Sequence, residues 1–406
     1  MKLKMKHIGA IPESEISFDG LTVIAGKNGT GKSTVLKTLY SIIEASTELK
    51  QKITDDALNT IANLAYQVGM EEEPLPWLKA STGNLDSEAL KRILEEVERR
   101  TEKKKGISQD HLRAISMIKK YLDDPNDIKD FFRQFVSRNI LYEFDGQFRD
   151  IRADDESYAV VEFGDRELKV CVEKVNNSKV LGDIPTMFSS VIYMDTPYVI
   201  DEINARFLPR RGNHRASLQR KLRTDNHGDI FEAIIAEENK ERLDGLISTV
   251  VEGTFKIDNG RLLYSSSGCQ NLSALNLAAG LKTFSIIKLL SDNGYIGSRT
   301  LLLIDEPEVH LHPEWQMIFA ELLILMSKEI GVKIVLTTHS PQFLLSIQAY
   351  SGKYSMHVDY YNFVKDESGQ IVVSNVNGRV EEIYRPMAEA YNRVDQIYED
   401  TAENRE

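Results

Sequence analysis

Cysteine is scarce in this chain, and long apolar runs are missing. Two cysteines, Cys171 and Cys269, occur among 406 residues, which excludes a disulfide scaffold and a cysteine-rich zinc module and favours a reducing compartment. No apolar stretch approaches the roughly 20 residues that a helix needs to cross a bilayer. Charged residues also precede any apolar run of signal-peptide length at the N-terminus. We therefore expect a cytoplasmic protein with no membrane segment.

A general excess of basic residues is missing too. Fifty Lys and Arg stand against 62 Asp and Glu, a net charge of −12, which argues against nucleic-acid affinity spread over the whole surface. One local exception is the basic segment Arg206–Arg223, which holds seven Arg and Lys and no acid. Direct DNA or RNA contact is one role for it. An acidic partner, nucleotide phosphates or a merely solvated loop are the alternatives.

The apolar pattern predicts an α/β core. Four runs have the character of buried parallel strands: Leu21–Ala25, Ser190–Met194, Thr300–Ile304 and Lys333–Thr337. Strands also predominate from about Tyr142 to Val175. A helix is predicted from Ile230 to Val251, and a strand pair and an amphipathic helix follow His339.

The stretch 41–140 is mostly helical. Leu90, Ile93, Leu94 and Val97 follow the spacing of one buried helix face. The charged run Glu95–Lys105 behind them predicts a solvated helix end and turn. Since no internal repeat and no low-complexity linker is found, we expect one composite domain. Residues 1–40 and 141–406 would form its core, and 41–140 a helical insertion.

A phosphate-binding loop follows the first apolar strand. It fits the pattern GxxxxGK[ST] at every fixed position and consists of Gly26, Lys27, Asn28, Gly29, Thr30, Gly31, Lys32 and Ser33. The glycines let successive backbone N–H groups turn towards the phosphates, Lys32 adds positive charge, and Ser33 offers a hydroxyl to Mg²⁺. Thr34 belongs to the same expected ATP-binding set. An ordinary glycine turn before a helix is the alternative.

Two carboxylates end the strand Thr300–Ile304. Asp305 is expected to hold Mg²⁺, directly or through water, and Glu306 to polarise the attacking water. Ligands bind beyond the carboxyl ends of strands in open α/β sheets; a capped strand end with solvated acids is the alternative. The next apolar strand leads to His339, which we expect to contact the γ-phosphate or to position the water.

The spacing of these motifs separates the chain from small GTPases and most ring-forming motor ATPases. In those proteins the acidic strand follows the phosphate loop after far fewer residues. Lys32 and Asp305 stand 273 positions apart. This arrangement resembles the ABC-type ATPase superclass in its chromosome-maintenance and repair branch, which includes the SMC and RecF proteins. The runs DEPEVHLHPEWQ (305–316) and THSP (338–341) are similar to the ATPase domain of the OLD-like ATPases common in bacterial anti-phage systems.

This resemblance covers about residues 1–40 and 190–350 and implies a fold and a mode of action. The fold would be the α/β head of an ABC-type P-loop ATPase, a mixed and mainly parallel sheet with flanking helices and an antiparallel β lobe. ATP and Mg²⁺ would be the cofactors, and nucleotide-sandwich dimers would build a homo-oligomer. A separate nuclease or toxin would be the effector, as in Septu-type, retron-associated or PARIS-type systems.

The family's signature loop, which caps the γ-phosphate held by a second protomer, corresponds to Asn276-Leu-Ala-Ala279-Gly280 ahead of a predicted helix Thr283–Leu290. Ala279 stands where a serine is common. Losing one hydroxyl donor weakens such capping by about 1–2 kcal/mol. The usual loop glutamine is also missing, since Asp195 or Thr196 occupies its place. Both departures favour slow turnover.

Other features leave alternatives open. The resemblance places His310 and His312 in a loop that crosses the dimer interface, and a metal site is the alternative. After His339 the sequence lacks the Glu and Asp-x-Asp triplet of OLD-family nucleases, so we expect no nuclease activity. A RecF-like DNA-repair ATPase is a second hypothesis, which DNA-stimulated turnover would favour. A nucleotide-binding regulatory module with negligible hydrolysis is a third.

Overall fold

A computed structural model describes most of the chain. The described residues are 1–68, 87–103, 109–174, 177–203, 213–225, 244–258 and 261–386, with 393, 396 and 397. They fall into two compact units, Met1–Thr47 with Ser137–Glu406, and Glu48–Val136. None of the described helices is both long and apolar enough to cross a membrane.

Strands and helices follow one another along the chain in mixed order. The first half contains β1 (Lys2–Ile8), β2 (Ile11–Ser17), β3 (Leu21–Gly26), α1 (Lys32–Glu44), α2 (Leu49–Gln67), α3 (Ser87–Lys103), α4 (Gln109–Asp123), α5 (Lys129–Phe144), β4 (Ser157–Phe163), β5 (Arg166–Lys174), β6 (Asn177–Gly182) and β7 (Ser190–Met194). The second half contains α6 (Val199–Glu202), α7 (His214–Lys221), β8 (Thr254–Asp258), β9 (Arg261–Ser266), β10 (Cys269–Ser273), α8 (Ala279–Asp292), β11 (Thr300–Asp305), α9 (Pro313–Leu325), β12 (Lys333–Thr338), α10 (Pro341–Lys353), β13 (Val358–Lys365) and β14 (Ile371–Asn375).

A six-stranded sheet forms the centre of the larger unit. Its order is β14-β13-β3-β12-β11-β7, and all neighbours are parallel except β13 and β14. Every residue of β3 and β7 is buried, as the continuous apolar runs predict for strands covered on both faces. The four apolar runs of the sequence therefore became neighbouring strands of one sheet.

Two antiparallel sheets complete the larger unit. One has the order β2-β1-β4-β5-β6, and the other has β10-β9-β8. In β2 the burial alternates along the strand, which is the pattern of a sheet with one face packed and one face solvated. The antiparallel lobe expected from the sequence is thus present.

In the smaller unit the helix end predicted for the charged run lies near the far end of that run. The charged run Glu95–Lys105 does not end a helix at its start, because α3 continues to Lys103. Leu94 and Val97 are fully buried in the core of this unit, while Glu96 pairs with Arg99 and Arg100 one turn later. The charges therefore form the outer face of an amphipathic helix.

Three other boundaries differ from the sequence predictions. Tyr142 lies in α5, and the strands begin only at Ser157. The signature helix is longer than Thr283–Leu290, since α8 begins at Ala279. Most of the predicted helix 230–251 lies outside the described residues. In the described part of this range, residues 244–248 are helical.

Candidate nucleotide-binding site

The carboxyl ends of the parallel strands bring the sequence motifs to one edge of the central sheet. Thr338 of β12 pairs with Ala25 of β3, and Asp305 of β11 pairs with Thr337 of β12. On the other side of β11, Ile304 pairs with Met194 of β7. The loops that leave these strands consequently start at the same level, as in other open α/β sheets.

The phosphate loop connects β3 to α1 in a conformation that needs its glycines. Gly31 has φ +85° at the N-terminus of α1, and a Cβ on it would lie 2.8 Å from Ile11 Cγ1. At Gly26 a Cβ would lie 2.4 Å from the carbonyl oxygen of Phe363. Thr30 Oγ1 closes the loop by donating to the carbonyl of Lys27 at 2.8 Å. The first N–H groups of α1 are thereby aimed at an anion site.

Lys32 is almost fully buried beneath this loop. Its Nζ donates to the carbonyl of Gly26 at 2.9 Å and to that of Lys27 at 3.1 Å. The same Nζ lies 3.3 Å from Glu306 Oε1. A fixed cation is thus placed between the phosphate loop and the acidic end of β11.

Asp305 is held by two hydroxyl groups that the sequence analysis did not single out. Thr337 Oγ1 donates to Oδ1 at 2.5 Å, and the hydroxyl of Tyr193 donates to Oδ2 at 3.2 Å. Burial, followed by the charge of Asp305, raises the pKa of Tyr193 well above its usual range, so the phenol keeps its proton and remains a donor. Both residues lie in strands that the sequence predicts to be buried, and a polar side chain in such a strand was the only sign that it could take part in the site.

Glu306 lies between Lys32, which is expected to bind phosphate, and His339, which is expected to contact the γ-phosphate or to position the water. Its backbone is in the left-handed region, with φ 47° and ψ 55°, which is uncommon for a residue with a side chain. Its N–H donates to the carbonyl and to the hydroxyl of Thr337 at 3.2 and 3.1 Å. Oε1 is then 3.3 Å from both Lys32 Nζ and His339 Nδ1.

Glu308 joins the ends of β11 and β12 and was also missed as a site residue. Its buried Oε1 accepts from Thr338 Oγ1 at 2.6 Å and from the backbone N–H groups of His339 and Ser340 at 2.9 and 3.2 Å. Burial raises the pKa of Glu308 despite these donors. The carboxyl group therefore fixes the loop that presents His339 to Glu306.

A cavity of about 580 Å³ lies over these groups. Its lining includes the loop from Asn28 to Thr34 and the acidic pair Asp305 and Glu306, and Asp195, Thr196, Thr283 and His310 complete the wall. Such a volume suits a small-molecule ligand. Of the sequence-predicted residues, Gly26, Lys27 and His339 are not part of this lining. His339 Nδ1 lies 3.3 Å from Oε1 of the lining residue Glu306.

The signature segment lies outside this lining. Asn276 is exposed, Ala279 is half-buried and Gly280 is buried. A Cβ on Gly280 would lie 2.7 Å from the ring of Trp315 and 3.1 Å from the carbonyl of His310. Asn276 and Ala278 are the exposed members of this segment, and Asn276 is the one whose side chain is polar and can form hydrogen bonds with another molecule.

His310 and His312 do not form a metal site with other described residues. Among the described ranges, no group of three or more His, Cys, Asp or Glu side chains could hold a metal ion. His310 instead packs its ring edge-on against Tyr198, with centroids 5.3 Å apart. It also contributes to the wall of the cavity.

The basic segment is not a continuous exposed patch where the structure describes it. Arg215 pairs with Asp195 at 2.6 Å, and Lys221 is 1% exposed. Lys221 is therefore used inside the protein, where α7 packs against β7, whereas Arg215 is paired but 43% exposed. Arg206, Arg210 and Arg211 lie outside the described residues.

Comparisons with known proteins agree with this site. Residues 198–346 match a family model described as "AAA domain, putative AbiEii toxin, Type IV TA system". Over 88 residues the chain is 33% identical to the Old nuclease of Escherichia phage P2. This stretch is 22% of the chain and spans 14% of the length of that nuclease.

Solved structures of SMC heads are similar at low scores. The SMC head domain from Thermotoga maritima is 11% identical, with a TM-score of 0.41 over 92% of this chain and 98% of that one. An SmcHead bound to the C-winged helix domain of ScpA is 12% identical, with a TM-score of 0.44 over 94% and 98%. The Smc head from Pyrococcus furiosus, bound to the C-terminal domain of ScpA, is 10% identical, with a TM-score of 0.42 over 95% and 98%.

The fold is that of an ABC-class P-loop ATPase head, with a mainly parallel sheet, flanking helices and an antiparallel lobe. The family match covers residues 198–346, which include β11 and β12. The fold class expected from the sequence is confirmed.

Proposed function

We propose that this chain binds ATP with Mg²⁺ and hydrolyses it slowly. The observation that carries the proposal is the meeting of Lys32, Asp305 and Glu306 at one cavity, although the residues are distant in sequence. A fixed ammonium group, helix N–H groups and two carboxylates are the components that phosphoryl transfer to water requires.

The proposed roles follow from the positions of the groups. The phosphate loop and Lys32 bind the β- and γ-phosphates. Glu306 accepts the proton of the attacking water, and His339, 3.3 Å from its Oε1, orients this carboxylate. The left-handed backbone of Glu306, fixed through Thr337, aims the side chain at the cavity.

The residues present fit Mg²⁺. Ser33 and Asp305 both line the cavity and supply a hydroxyl and a carboxylate, the hard oxygen ligands that Mg²⁺ prefers. When bound there, the ion would neutralise charge on the phosphate oxygens. Thr337 and Tyr193 would keep Asp305 in the orientation needed to hold it.

We also propose that two copies close over the nucleotide. Three large apolar side chains are exposed around the cavity and the signature segment: Tyr198 at 46%, Leu275 at 50% and Val309 at 54%. Exposed apolar groups beside a polar site are typical of an interaction surface. Asn276 lies next to Leu275 and would reach the partner's nucleotide.

The biological role that we propose is anti-phage defence, with the chain as the sensor or scaffold of a separate nuclease or toxin. In support, the matched family model names a toxin of a type IV toxin–antitoxin system, and the curated relative is a phage nuclease. Plating efficiency of phages on cells that carry the native locus tests this role. A native locus that gives no protection would count against this role, and protection that survives Glu306→Gln and Lys32→Ala would show that the role does not need the proposed ATP hydrolysis.

Calorimetry and phosphate release test the proposed chemistry. Lys32→Ala should lose tight ATP binding, because the loop loses its buried cation. Glu306→Gln should bind ATP with unchanged affinity but hydrolyse it about 100- to 10,000-fold more slowly. Lys353→Ala removes an exposed cation of α10 that pairs with Glu321 and serves as the control. Unchanged affinity in Lys32→Ala, or a normal rate in Glu306→Gln, would contradict the assignment.

A further inference from the structure

A mostly buried cluster of charged side chains lies at and behind the wall of the nucleotide cavity, and Arg215 is its most exposed member, at 43%. It consists of Glu143 from α5, His214 and Arg215 from α7, and Asp195 from the end of β7. The side chains of Glu143, His214 and Asp195 are only 1%, 6% and 18% exposed. Buried charges are costly unless they are paired, so this arrangement calls for an explanation beyond packing.

Both ring nitrogens of His214 face carboxylates. Nδ1 lies 2.7 Å from Glu143 Oε2, and Nε2 lies 3.2 Å from Asp195 Oδ2. The second contact is an ion pair without hydrogen-bond geometry. The backbone N–H of His214 also donates to Glu143 Oε1 at 2.6 Å. A neutral imidazole carries one N–H, and only the imidazolium presents a proton to both carboxylates.

Asp195 connects this cluster to the cavity, whose wall it forms together with the phosphate loop and Asp305. Arg215 donates to Asp195 Oδ2 through Nε at 3.0 Å and through Nη2 at 2.6 Å. Burial raises the pKa of Asp195, but His214 and Arg215 outweigh it and lower the value to about 2. Asp195 is therefore a fixed anion.

Tyr193 provides a second connection. Its ring lies against that of His214, with centroids 4.2 Å apart at 32°. Its hydroxyl donates to Asp305 at the edge of the cavity. On the other side, Tyr40 of α1 approaches His214 edge-on at 6.0 Å. The imidazole thus touches the residue that holds Asp305 as well as Asp195 itself.

We propose that His214 is a positioning residue for ATP hydrolysis, whose protonated ring fixes Asp195 and Tyr193 at the cavity wall and makes turnover depend on pH. This inference rests on the proposed function. It assigns no contact between His214 and the nucleotide, because His214 lies behind the wall.

The direction of the pH dependence follows from the charges that face the ring. Burial lowers the pKa of His214, but the carboxylates of Asp195 and Glu143 together raise it above the ordinary value of 6.5. The nearby cation, Arg215, is already engaged by Asp195. When pH rises through the elevated pKa, the ring loses one proton and the two carboxylates lose their shared cation. Turnover should therefore fall on the alkaline side.

Steady-state hydrolysis across pH 5.5–9 tests the proposal with His214→Gln, whose amide can donate to one carboxylate but carries no charge. We expect the wild-type kcat to fall at alkaline pH, with KM little changed. His214→Gln should lose about tenfold in kcat at low pH and should lack the alkaline fall. His357→Gln is the matched control. His357 is 71% exposed and precedes β13, at the edge of the sheet opposite to the nucleotide cavity.

A direct titration of the wild-type imidazole does not depend on the activity of a variant. In NMR spectra of the wild-type protein, the imidazole resonance that is missing from His214→Gln should titrate above 6.5, and Glu143→Gln should shift it downward. If this resonance titrates below 6.5, or if His214→Gln keeps the wild-type pH profile, the proposal is wrong.

The two proposals fail in different ways. A wild-type protein that hydrolyses no ATP at any pH would overturn the proposed function, and with it the catalytic role of His214. Normal hydrolysis with an alkaline fall that His214→Gln retains would overturn the inference about His214 alone.

Discussion

At the scale of single residues, the hydroxyl of Thr337 links the two carboxylates of the site. It donates to Asp305 Oδ1 at 2.5 Å and accepts the backbone N–H of Glu306 at 3.1 Å. One small side chain therefore sets both the orientation of the proposed Mg²⁺ ligand and the left-handed turn at the proposed base. Strained conformations of this kind persist only where neighbouring groups hold them.

Replacing this hydroxyl should weaken the site without removing any proposed ligand. Thr337→Val is close to isosteric and is expected to lower kcat about 10- to 100-fold and to raise the Mg²⁺ concentration for half-maximal phosphate release. Thr22→Val is the matched control, because Thr22 is also fully buried in the sheet but its hydroxyl has no hydrogen-bond partner among the residues that the structure describes. Equal Mg²⁺ dependence in the two variants would show that Thr337 does not position Asp305.

The sequence analysis anticipated the residues that spacing identifies and missed those that act across elements. Lys32, Glu306 and His339 are among the predicted residues, and the structure places the Glu306 carboxylate 3.3 Å from each of the other two. Glu308 and His214 escaped notice because their partners come from other strands and helices. Nothing in the residues next to His214 indicates that Glu143 faces it. The functional roles of all these residues remain predictions.

At the scale of elements, Gly280 determines how closely α8 approaches α9. Its Cα faces the ring of Trp315, and Trp315 in turn packs edge-on against Phe284 of α8. The signature glycine thus has a packing function within one protomer, which is independent of any contact with a second copy.

This packing predicts a loss of stability on adding a single methyl group. Gly280→Ala should lower the free energy of unfolding by about 1–3 kcal/mol, because its Cβ would lie 2.7 Å from the Trp315 ring. Gly352→Ala in α10 is the control; its Cβ would meet nothing within 4 Å, and a helical Gly→Ala change is neutral or stabilising by about 0.5–1 kcal/mol. Denaturant melts of the two variants give the comparison. Equal midpoints would refute the packing argument.

Elements were predicted well where burial dictates the pattern. The strands β3, β7, β11 and β12 are mostly apolar because both faces of the sheet are covered, and this leaves a clear signal in the sequence. The helix end predicted within Glu95–Lys105 lies only at Lys103, and its position was not predictable because a run of charges looks the same on a helix face as in a loop. Only the buried Leu94 and Val97 beneath it distinguish the two.

At the scale of the whole molecule, the proposed dimer makes each active site composite. One protomer would contribute Lys32, Asp305 and Glu306, and the other would contribute Asn276. A symmetric dimer would then hold two equivalent sites. The exposed apolar residues around the cavity would be buried when the two copies close.

Mixed dimers test this arrangement. Lys32→Ala and Asn276→Trp should each be inactive alone, whereas a one-to-one mixture should recover about one quarter of wild-type hydrolysis. Half of randomly formed dimers contain both variants, and each such dimer keeps one intact site. Asn276→Trp changes an exposed residue, so its folding should not be impaired as it would be at Gly280. A mixture without activity would argue that each protomer works alone.

The strand order means that β3 is synthesised long before the strands that flank it in the sheet. β3 lies between β12 and β13, both of which are translated about 300 residues later. At roughly 5–20 residues per second, the fully apolar β3 leaves the ribosome some 15–60 s before either neighbour exists. The nascent chain must shield this strand throughout that interval, and it can acquire nucleotide only near the end of synthesis. Premature termination anywhere before β12 would therefore release an aggregation-prone fragment with no ATP to stabilise it.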